Sequence, residues 1–282
     1  MHLIEPAELA ARCAAPATRT VVFDCRHDLL RPDWGRQEFA AGHIPGAVFA
    51  HLDQDLSSCV TPQSGRHPLP LPATLAGFLG AAGVDADTDV VAYDQDKSPF
   101  AARLWWLLRW LGHERVSVLN GGLAAWRAAG LPLQSALAAR RPRDFHPRPA
   151  LARVATTADV QRELEAGRIL LLDARGADRF AGQNETIDPV AGHVPGARNQ
   201  LFALNLDSSG RLQSSAALTA LWRAVLGDTP ATQVVAMCGS GVTACHNLLA
   251  MELAGLPGAR LYAGSFSEWI RDPARKVATG PV

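Results

Sequence analysis

The chain of 282 residues contains four sequence blocks that occur twice, in the same order, about 150 residues apart. They are an apolar run ending in Asp-x-Arg, a Gly-His-x-Pro-Gly-Ala turn, a second apolar run, and a Gly-containing block that leads to a tryptophan. The matched positions are Asp24 and Asp173, His43 and His193, Asp94 and Cys238, and Trp126 and Trp269. Four ordered matches are hard to produce by chance, so the sequence predicts a duplicated domain.

Each half alternates short apolar strands with amphipathic helices, which is typical of an α/β fold with a mostly parallel sheet and helices on both faces. In the first half the pattern predicts strands at 21–24, 89–93 and 116–119 and helices at 6–13, 36–41, 72–82, 100–111 and from 123. In the second half it predicts helices at 157–166, 215–226, 243–254 and 266–270. We therefore expect tandem domains at 1–133 and 151–282, joined by a Pro- and Arg-rich linker at 134–150.

Composition restricts the partners and the compartment. Lys plus Arg equals Asp plus Glu, and no basic run with interleaved aromatic residues indicates nucleic-acid binding. The N-terminus lacks the features of a signal peptide, and the longest apolar run, at 104–108, is far too short for a membrane span. The five cysteines include no Cys-x-x-Cys pair, which argues against a disulfide framework and a zinc site. We expect a cytoplasmic protein that binds neither nucleic acid nor a membrane.

The strongest candidate for chemistry is the stretch 233–245, in which a predicted strand, a loop and a helix follow one another. Cys238 lies at the end of the strand, and Gly239 and Gly241 allow the loop to turn so that several N–H groups point at one place. The start of the helix near Val242 adds the positive end of its dipole. These donors favour the thiolate form of the cysteine and an anion carried on its sulfur. A buried structural cysteine is the alternative interpretation of this position.

The repeat helps to separate architecture from chemistry. Features present in both halves, such as the Asp-x-Arg at a strand end and the histidine of the turn, are expected to be structural. Cys238 has no such twin, because Asp94 stands at the matching position. The residues that follow Asp94 include no glycine and add negative charge, so this copy is predicted to lack an anion-binding loop. We therefore expect the first domain to be catalytically inactive and the second to carry the site.

These blocks, together with the Cys-Gly-Ser-Gly-Val-Thr loop at 238–243, resemble the two-domain rhodanese-type sulfurtransferases over nearly the whole chain. In that family, which includes 3-mercaptopyruvate and thiosulfate sulfurtransferases, the C-terminal domain carries the active-site cysteine and the N-terminal domain is inactive. The resemblance implies that Cys238 takes sulfur from a small-molecule donor as a persulfide and passes it to a thiol or cyanide acceptor. The loop resembles the mercaptopyruvate version. No metal or organic cofactor is implied.

The resemblance also implies roles for individual residues. Arg179 matches an arginine that binds the carboxylate of the donor. Ser240 matches a serine that is proposed to act with a histidine, for which His67 is the candidate in this chain. The remaining predicted substrate-binding residues form the loop: Gly239, Gly241, Val242 and Thr243. From the residues alone, a solvated arginine at 179 and an exposed loop histidine at 67 are open alternatives.

One segment favours a different sulfur donor from the one that the loop indicates. Mercaptopyruvate enzymes of the family tend to carry a second arginine shortly after the first, whereas the aligned stretch here is Glu185-Thr186-Ile187-Asp188-Pro189. An acid there resembles the thiosulfate-type enzymes. Because the loop touches the reacting sulfur, we expect 3-mercaptopyruvate to be the donor. Thiosulfate:cyanide sulfur transfer by the same mechanism is the alternative.

Two other functions fit the same scaffold less well. A cysteine phosphatase of this scaffold needs an arginine six residues after its cysteine, and here that residue is Ala244. A non-catalytic binding module is expected to have lost the nucleophile in both halves, whereas Cys238 and its glycines are intact.

Overall fold

The structure, a computed structural model, describes residues 2–15 and 19–280. The first half contains β1 (Leu3–Ile4), α1 (Pro6–Ala14), β2 (Thr20–Asp24), α2 (Trp34–Ala41), β3 (Val48–Phe49), α3 (Pro72–Ala81), β4 (Asp89–Tyr93), α4 (Pro99–Trp110), β5 (Val116–Leu119) and α5 (Gly122–Ala128). The second half contains β6 (Arg153–Val154), α6 (Thr157–Glu165), β7 (Leu170–Asp173), α7 (Ala177–Phe180), β8 (Arg198–Asn199), α8 (Ser215–Leu226), β9 (Val234–Met237), α9 (Thr243–Leu253), β10 (Arg260–Leu261) and α10 (Ser265–Trp269). Short 3₁₀ helices lie at Phe202–Asn205 and Ala231–Gln233. The predicted elements are all present, with ends that differ by about one or two residues.

Each half forms a five-stranded sheet with the same topology. The strand order is β1-β5-β4-β2-β3 in the first half and β6-β10-β9-β7-β8 in the second, and the strands pair in parallel. The strands that precede Asp94 and Cys238 are β4 and β9, which are central in their sheets. Their following loops therefore open at the carboxyl edge of the sheet, where α/β folds place ligand sites. The predicted fold class, tandem α/β domains with parallel sheets, is confirmed.

The strands that the apolar pattern did not predict are each two residues long: β1, β3, β6, β8 and β10. Two residues cannot show the alternation that identifies a strand, so these segments are defined by pairing with a longer neighbour.

Each half contains a cluster of buried apolar residues from its strands and helices. Tyr93 of β4 packs with Trp126 in the first, and Met237 of β9 packs with Trp269 in the second. The longest helices, α4 and α8, have 12 residues each. Within residues 2–15 and 19–280, no helix combines the length and the apolar character that crossing a membrane requires.

The chain divides into two compact units that are not contiguous in sequence. The first unit comprises the residues up to Ser58, Pro70–Leu151 and Ser208–Leu212. The second comprises Cys59–Leu69, Ala152–Asp207 and the residues from Gln213 onward. The domain bounds predicted from the sequence, 1–133 and 151–282, stay a prediction, and they assign residues 59–69 to the first domain. Residues 59–69, called here the 59–69 segment, belong to the second unit, and they carry no apolar periodicity that could have indicated this.

The predicted linker at 134–150 also differs from the expectation of a solvated connection. Backbone N–H groups of this stretch bond to the first unit, from Arg143 to the Gly80 carbonyl at 2.9 Å and from Arg148 to the Leu111 carbonyl at 2.8 Å. Phe145 is buried, with its ring 5.7 Å from that of His113. These contacts attach the stretch to the surface of the first unit, and its prolines and arginines gave no sign of them.

The duplicated Asp-x-Arg pairs hold the turn to the end of the strand in both halves. Arg26 pairs with Asp24 at 2.6 Å and also donates to the Gly42 carbonyl at 2.8 Å. Arg175 repeats this arrangement with Asp173 at 2.7 Å and with the Gly192 carbonyl at 2.8 Å. In each turn the histidine stacks on a phenylalanine and its Nδ1 lies 2.7 or 2.8 Å from that residue's carbonyl oxygen. The structural interpretation of these shared features is confirmed.

Candidate active site

Cys238 follows β9 directly and is 2% exposed. Its backbone is fixed on both sides by the start of α10. The Cys238 N–H donates to Ser265 Oγ at 3.1 Å, and its carbonyl accepts from the Phe266 N–H at 3.1 Å. Ser265 Oγ in turn donates to the Tyr262 carbonyl. The sulfur therefore projects from a backbone position that has little freedom to move.

Gly241 supplies the hydrogen bond to the sulfur. Its N–H donates to Cys238 Sγ at 3.1 Å, and its backbone has φ +78°, a conformation that L-residues with a side chain rarely adopt. The loop then enters α9 through the buried Val242 and the half-buried Thr243, the first residue of that helix. The sequence predicted several backbone donors near the sulfur, and the structure shows the Gly241 N–H in that role. The carbonyls of Cys238 and Gly239 accept from the N–H groups of Phe266 and Ser267 in α10.

Cys245 lies on α9 and is fully buried. Its Sγ donates to the Gly241 carbonyl at 3.3 Å. Gly241 therefore contacts both sulfurs, one through its N–H and one through its carbonyl. This contact connects α9 to the loop that follows Cys238.

Ser240 and His67 are brought together, as the resemblance implied. His67 Nδ1 lies 2.7 Å from Ser240 Oγ, and both side chains are buried. The contact forms inside the second unit because the 59–69 segment, although it comes from the first half of the sequence, packs there. The exposed-loop alternative for His67 is wrong. Ser240 and His67 thus form a polar pair, and Ser240 lies two residues after Cys238 in the chain.

Arg179, on α7, is held by two carboxylates rather than solvated. Its Nε and Nη2 donate to Glu185 at 2.9–3.1 Å, and Nη2 donates to Asp188 Oδ2 at 3.1 Å. A Cβ placed on Gly239 would lie 3.8 Å from Arg179 Nη2. The guanidinium therefore faces the loop that carries Cys238, which is where the resemblance placed it.

Arg66 is a residue of this site that the sequence analysis missed. Its Nη1 pairs with Asp188 Oδ1, its backbone N–H donates to Ser267 Oγ at 3.0 Å, and Nη2 would lie 2.7 Å from a Cβ on Gly239. Burial lowers the pKa of Arg66, while the neighbouring Cys238 acts in the opposite direction. Two features of the sequence could have indicated a role for Arg66. It directly precedes His67, and the stretch 185–189 contains no arginine.

The first unit keeps the same arrangement around Asp94. The Asp94 carbonyl accepts from the Leu123 N–H at 2.9 Å, which matches the bond from Phe266 to Cys238. Its carboxylate accepts three backbone N–H groups at the start of α4, from Ser98, Phe100 and Ala101, at 2.9–3.2 Å. The prediction that this copy has lost its anion-binding loop is wrong in this respect. The helix start supplies the donors without glycine, and the Asp94 carboxylate occupies the place of an anion.

The buried Asp94 gives a prediction about pH. Burial raises its pKa from 3.8 to about 7 although three N–H groups oppose the shift. The folded state therefore holds this proton more tightly than the unfolded state, and the free energy of unfolding falls as the pH rises from about 4 to about 7. We expect a fall of up to about 4 kcal/mol that is missing in Asp94→Asn. Hydrogen exchange of peptides covering β4 and α4, measured at several pH values, checks this; equal slopes in the two proteins would contradict it.

Comparison with known proteins agrees with this geometry. The rhodanese-like domain family matches residues 5–129 and 156–272. The chain is 50% identical over 281 residues to a probable 3-mercaptopyruvate sulfurtransferase of Pseudomonas aeruginosa, covering 99% of this chain and 98% of that protein. It is 36% identical over 288 residues to the putative thiosulfate sulfurtransferase SseB of Mycobacterium tuberculosis, covering 99% and 97%.

A solved structure gives the same result. The crystal structure of the 3-mercaptopyruvate sulfotransferase SseA from Escherichia coli superimposes with a TM-score of 0.81 at 33% identity, covering 94% of this chain and 98% of that one. The two matched ranges contain most of the strands of both sheets, and both relatives are named as sulfurtransferases. The chain therefore belongs to the rhodanese family and is a two-domain sulfurtransferase.

Proposed function

We propose that this enzyme transfers a sulfane sulfur from 3-mercaptopyruvate to a thiol or to cyanide through a persulfide on Cys238. The observation that carries the proposal is the Ser240–His67 pair beside the cysteine loop. A hydroxyl group and an imidazole at that place suit a substrate with a carbonyl group. Thiosulfate has no carbonyl, and it has two negative charges for which an uncharged serine offers little.

In the proposed first half-reaction, the Cys238 thiolate attacks the sulfur of the donor. A new S–S bond forms, the carbon–sulfur bond breaks, and its electron pair stays on the departing carbon as the enolate of pyruvate. Protonation of that enolate releases pyruvate, and the enzyme retains the outer sulfur as a persulfide. The Gly241 N–H stabilises negative charge on the inner sulfur at the start and at the end of the cycle.

Ser240 and His67 act on the carbonyl side of the donor in this proposal. The Ser240 hydroxyl donates to the carbonyl oxygen, which becomes more negative as the enolate forms. His67, bonded to the same hydroxyl at 2.7 Å, orients it and exchanges a proton with it. Arg179 binds the carboxylate, while the backbone of Gly239, Val242 and Thr243 shapes the remaining wall.

In the second half-reaction, an acceptor thiolate or cyanide attacks the outer sulfur of the persulfide. The S–S bond breaks with its electron pair on Cys238 Sγ, which regenerates the thiolate. The first domain takes no covalent part in this scheme, because Asp94 replaces the nucleophile. All five cysteines are free thiols, which supports a reducing compartment and hence a cytoplasmic location.

Thiosulfate:cyanide sulfur transfer is the second candidate function. One observation favours it. Glu185 and Asp188 lie in the stretch where the mercaptopyruvate enzymes of the family tend to carry an arginine. In the structure, however, both acids are engaged by Arg179. They neutralise positive charge near the sulfur, which disfavours a dianionic donor.

The test is a comparison of the two donors with cyanide as the common acceptor. We expect kcat/KM to be at least about tenfold higher for 3-mercaptopyruvate than for thiosulfate, a difference of about 1.4 kcal/mol in transition-state binding. Thiocyanate formation measures both rates in the same assay. A higher kcat/KM for thiosulfate would overturn the choice of donor and leave the sulfurtransferase activity itself intact.

A further inference from the structure

A groove lies beside β3, the edge strand of the first sheet. Its cavity of about 550 Å³ is lined by residues of α2, β3 and α3 and by residues of the stretch 134–150. We call this cavity the β3 groove. All of its lining residues belong to the first unit, the one that lacks the nucleophile. Its volume lies within the range of roughly 300–1,000 Å³ that is typical of small-molecule sites.

Most of the side chains that line the β3 groove are apolar. They include the rings of Phe39, Phe49 and Phe78, and the centroids of the first two rings are 5.5 Å apart. Leu137, which also lines the groove, is 78% exposed. Phenyl rings and an exposed leucine in one concave place leave apolar surface in contact with water. An apolar ligand that covers this surface would gain free energy from its burial.

The repeat shows that this apolar edge is not required by the shared fold. β3 and β8 are matching strands, because their second residues pair with the duplicated aspartates at the ends of β2 and β7. β3 consists of Val48 and Phe49. β8 consists of Arg198 and Asn199. The same edge is therefore apolar in the first unit and polar in the second, and a feature that only one copy carries is a candidate for function.

The charged side chains among the described residues of the groove are two arginines, Arg36 and Arg140. Arg36 is exposed, and its guanidinium carbon lies 5.3 Å from the centroid of the Phe49 ring. Its Nη2 donates to the side-chain oxygen of Gln54 at 2.9 Å, a neutral acceptor that leaves the positive charge uncompensated by that contact. The groove thus combines an apolar wall with a positive potential.

Arg140 is half-buried, and its Nε has no hydrogen-bond partner in the part of the chain that the structure describes. Its Nη2 would lie 3.6 Å from a Cβ on Gly46, so the guanidinium lies close to the turn that precedes β3. Burial lowers the pKa of Arg140, although the neighbouring Cys13 has the opposite effect. A bound anion would supply an acceptor for the guanidinium and compensate its charge.

The stretch that carries Arg140 is attached to the first unit on both sides of the groove residues. Before them, Gln134 and His43 exchange two backbone hydrogen bonds of 2.9 Å. After them, the Arg143 N–H donates to the Gly80 carbonyl at 2.9 Å. These bonds hold the wall that contains Leu137 and Arg140 in place without a ligand.

We propose that the β3 groove binds a medium-chain fatty acid. Arg140 binds the carboxylate, Arg36 adds positive potential, and the aliphatic chain lies along the phenyl rings. The two arginines favour an anion, and a ligand body without polar groups matches a lining whose one uncharged polar side chain, among the described residues, is Ser135. A fatty acid combines one anionic group with one apolar chain. This binding function is separate from sulfur transfer and does not depend on which sulfur donor the enzyme uses.

The experiment is a titration of the full-length protein with decanoate, followed by NMR of labelled alanine, valine and leucine methyl groups. We expect a Kd at or below about 100 μM, in the range that a ligand of this size can reach. The shifted signals should include those of Ala40, Val48 and Leu137, which line the groove. Hexanoate should bind at least about 20-fold more weakly, because a shorter chain buries fewer methylene groups. Decanol, which keeps the chain and lacks the charge, should bind at least about tenfold more weakly.

Two variants test the two parts of the site. Arg140→Gln should weaken decanoate binding at least about tenfold and leave decanol binding unchanged within about twofold. Leu137→Asp places a negative charge in the groove at an exposed position, so it should weaken decanoate at least about fivefold without affecting the fold. Arg141→Gln is the matched control, because exposed Arg141 is the next residue of the same stretch and does not line the groove. Its Kd for decanoate should stay within about twofold of wild type.

The contrary results are equally specific. A wild-type Kd for decanoate above about 1 mM would refute the site. Decanol that binds as tightly as decanoate would remove the role of the arginines and with it the proposal. Equal weakening by Arg140→Gln and Arg141→Gln would assign the attraction to the general charge of the stretch and refute the site as well. So would methyl shifts elsewhere in the protein while the signals of Ala40, Val48 and Leu137 stay unchanged.

Discussion

Replacing Cys238 with serine is expected to lower kcat/KM by at least roughly 10⁴-fold with either donor. The serine hydroxyl can still accept the Gly241 N–H, so the loop should keep its conformation. A hydroxyl is not ionised at neutral pH and cannot carry a sulfane sulfur, so the covalent intermediate is lost. Thiocyanate formation measures the rate, and intact-protein mass spectrometry after donor treatment detects the additional sulfur atom in wild type.

Cys59→Ser is the matched control for this prediction. Cys59 is an exposed thiol at the start of the 59–69 segment, and its replacement should leave the rate and the mass increase unchanged. A Cys238→Ser protein that retains sulfur transfer, or gains the sulfur atom, would contradict the assignment of the nucleophile.

Replacing Gly241 with alanine is expected to affect both stability and activity. A Cβ on Gly241 would lie 2.4 Å from the Ala263 carbonyl oxygen, and the φ of +78° is strained for any L side chain. The loop must therefore move, and the N–H moves away from the Cys238 sulfur. We expect the free energy of unfolding to fall by about 2–4 kcal/mol and kcat/KM to fall roughly 100-fold.

Gly255→Ala separates the effect of the backbone angle from that of the collision. Gly255 follows α9 with φ +73°, and nothing lies within 4 Å of a Cβ built on it. The free energy of unfolding of this variant should fall by about 1 kcal/mol, and its kcat/KM should stay at the wild-type value. Urea unfolding and donor kinetics measure both quantities. Equal losses in the two variants would show that crowding at Ala263 has no part in the effect.

The sequence predicted the long elements of the fold because their patterns extend over several residues. α8 matches its predicted range at Ser215–Leu226, and β4 matches at Asp89–Tyr93. The five two-residue strands were missed because each depends on a partner strand rather than on its own composition. The order of the repeated blocks, in contrast, was sufficient to predict two sheets of the same topology.

The candidate site was predictable to the extent that its residues are close in sequence or matched a known loop. Cys238, Gly241 and Ser240 lie within one short stretch, and His67 came from the resemblance. Arg66 was missed because its relation to Arg179 exists only through the shared Asp188 carboxylate. A long-range contact of that kind has no signature in the local pattern.

The position of the 59–69 segment also has an evolutionary consequence. After a duplication, the copy that loses its thiol is free to degenerate or to be deleted unless the surviving copy depends on it. Here the stretch that reaches Ser240 and Asp188 comes from the first half of the sequence and packs in the second unit. A gene that encoded only the second half of the sequence would produce a protein that contains Cys238 but lacks His67 and Arg66. Because residues from both halves of the sequence line the same site, natural selection has a physical reason to retain the tandem arrangement.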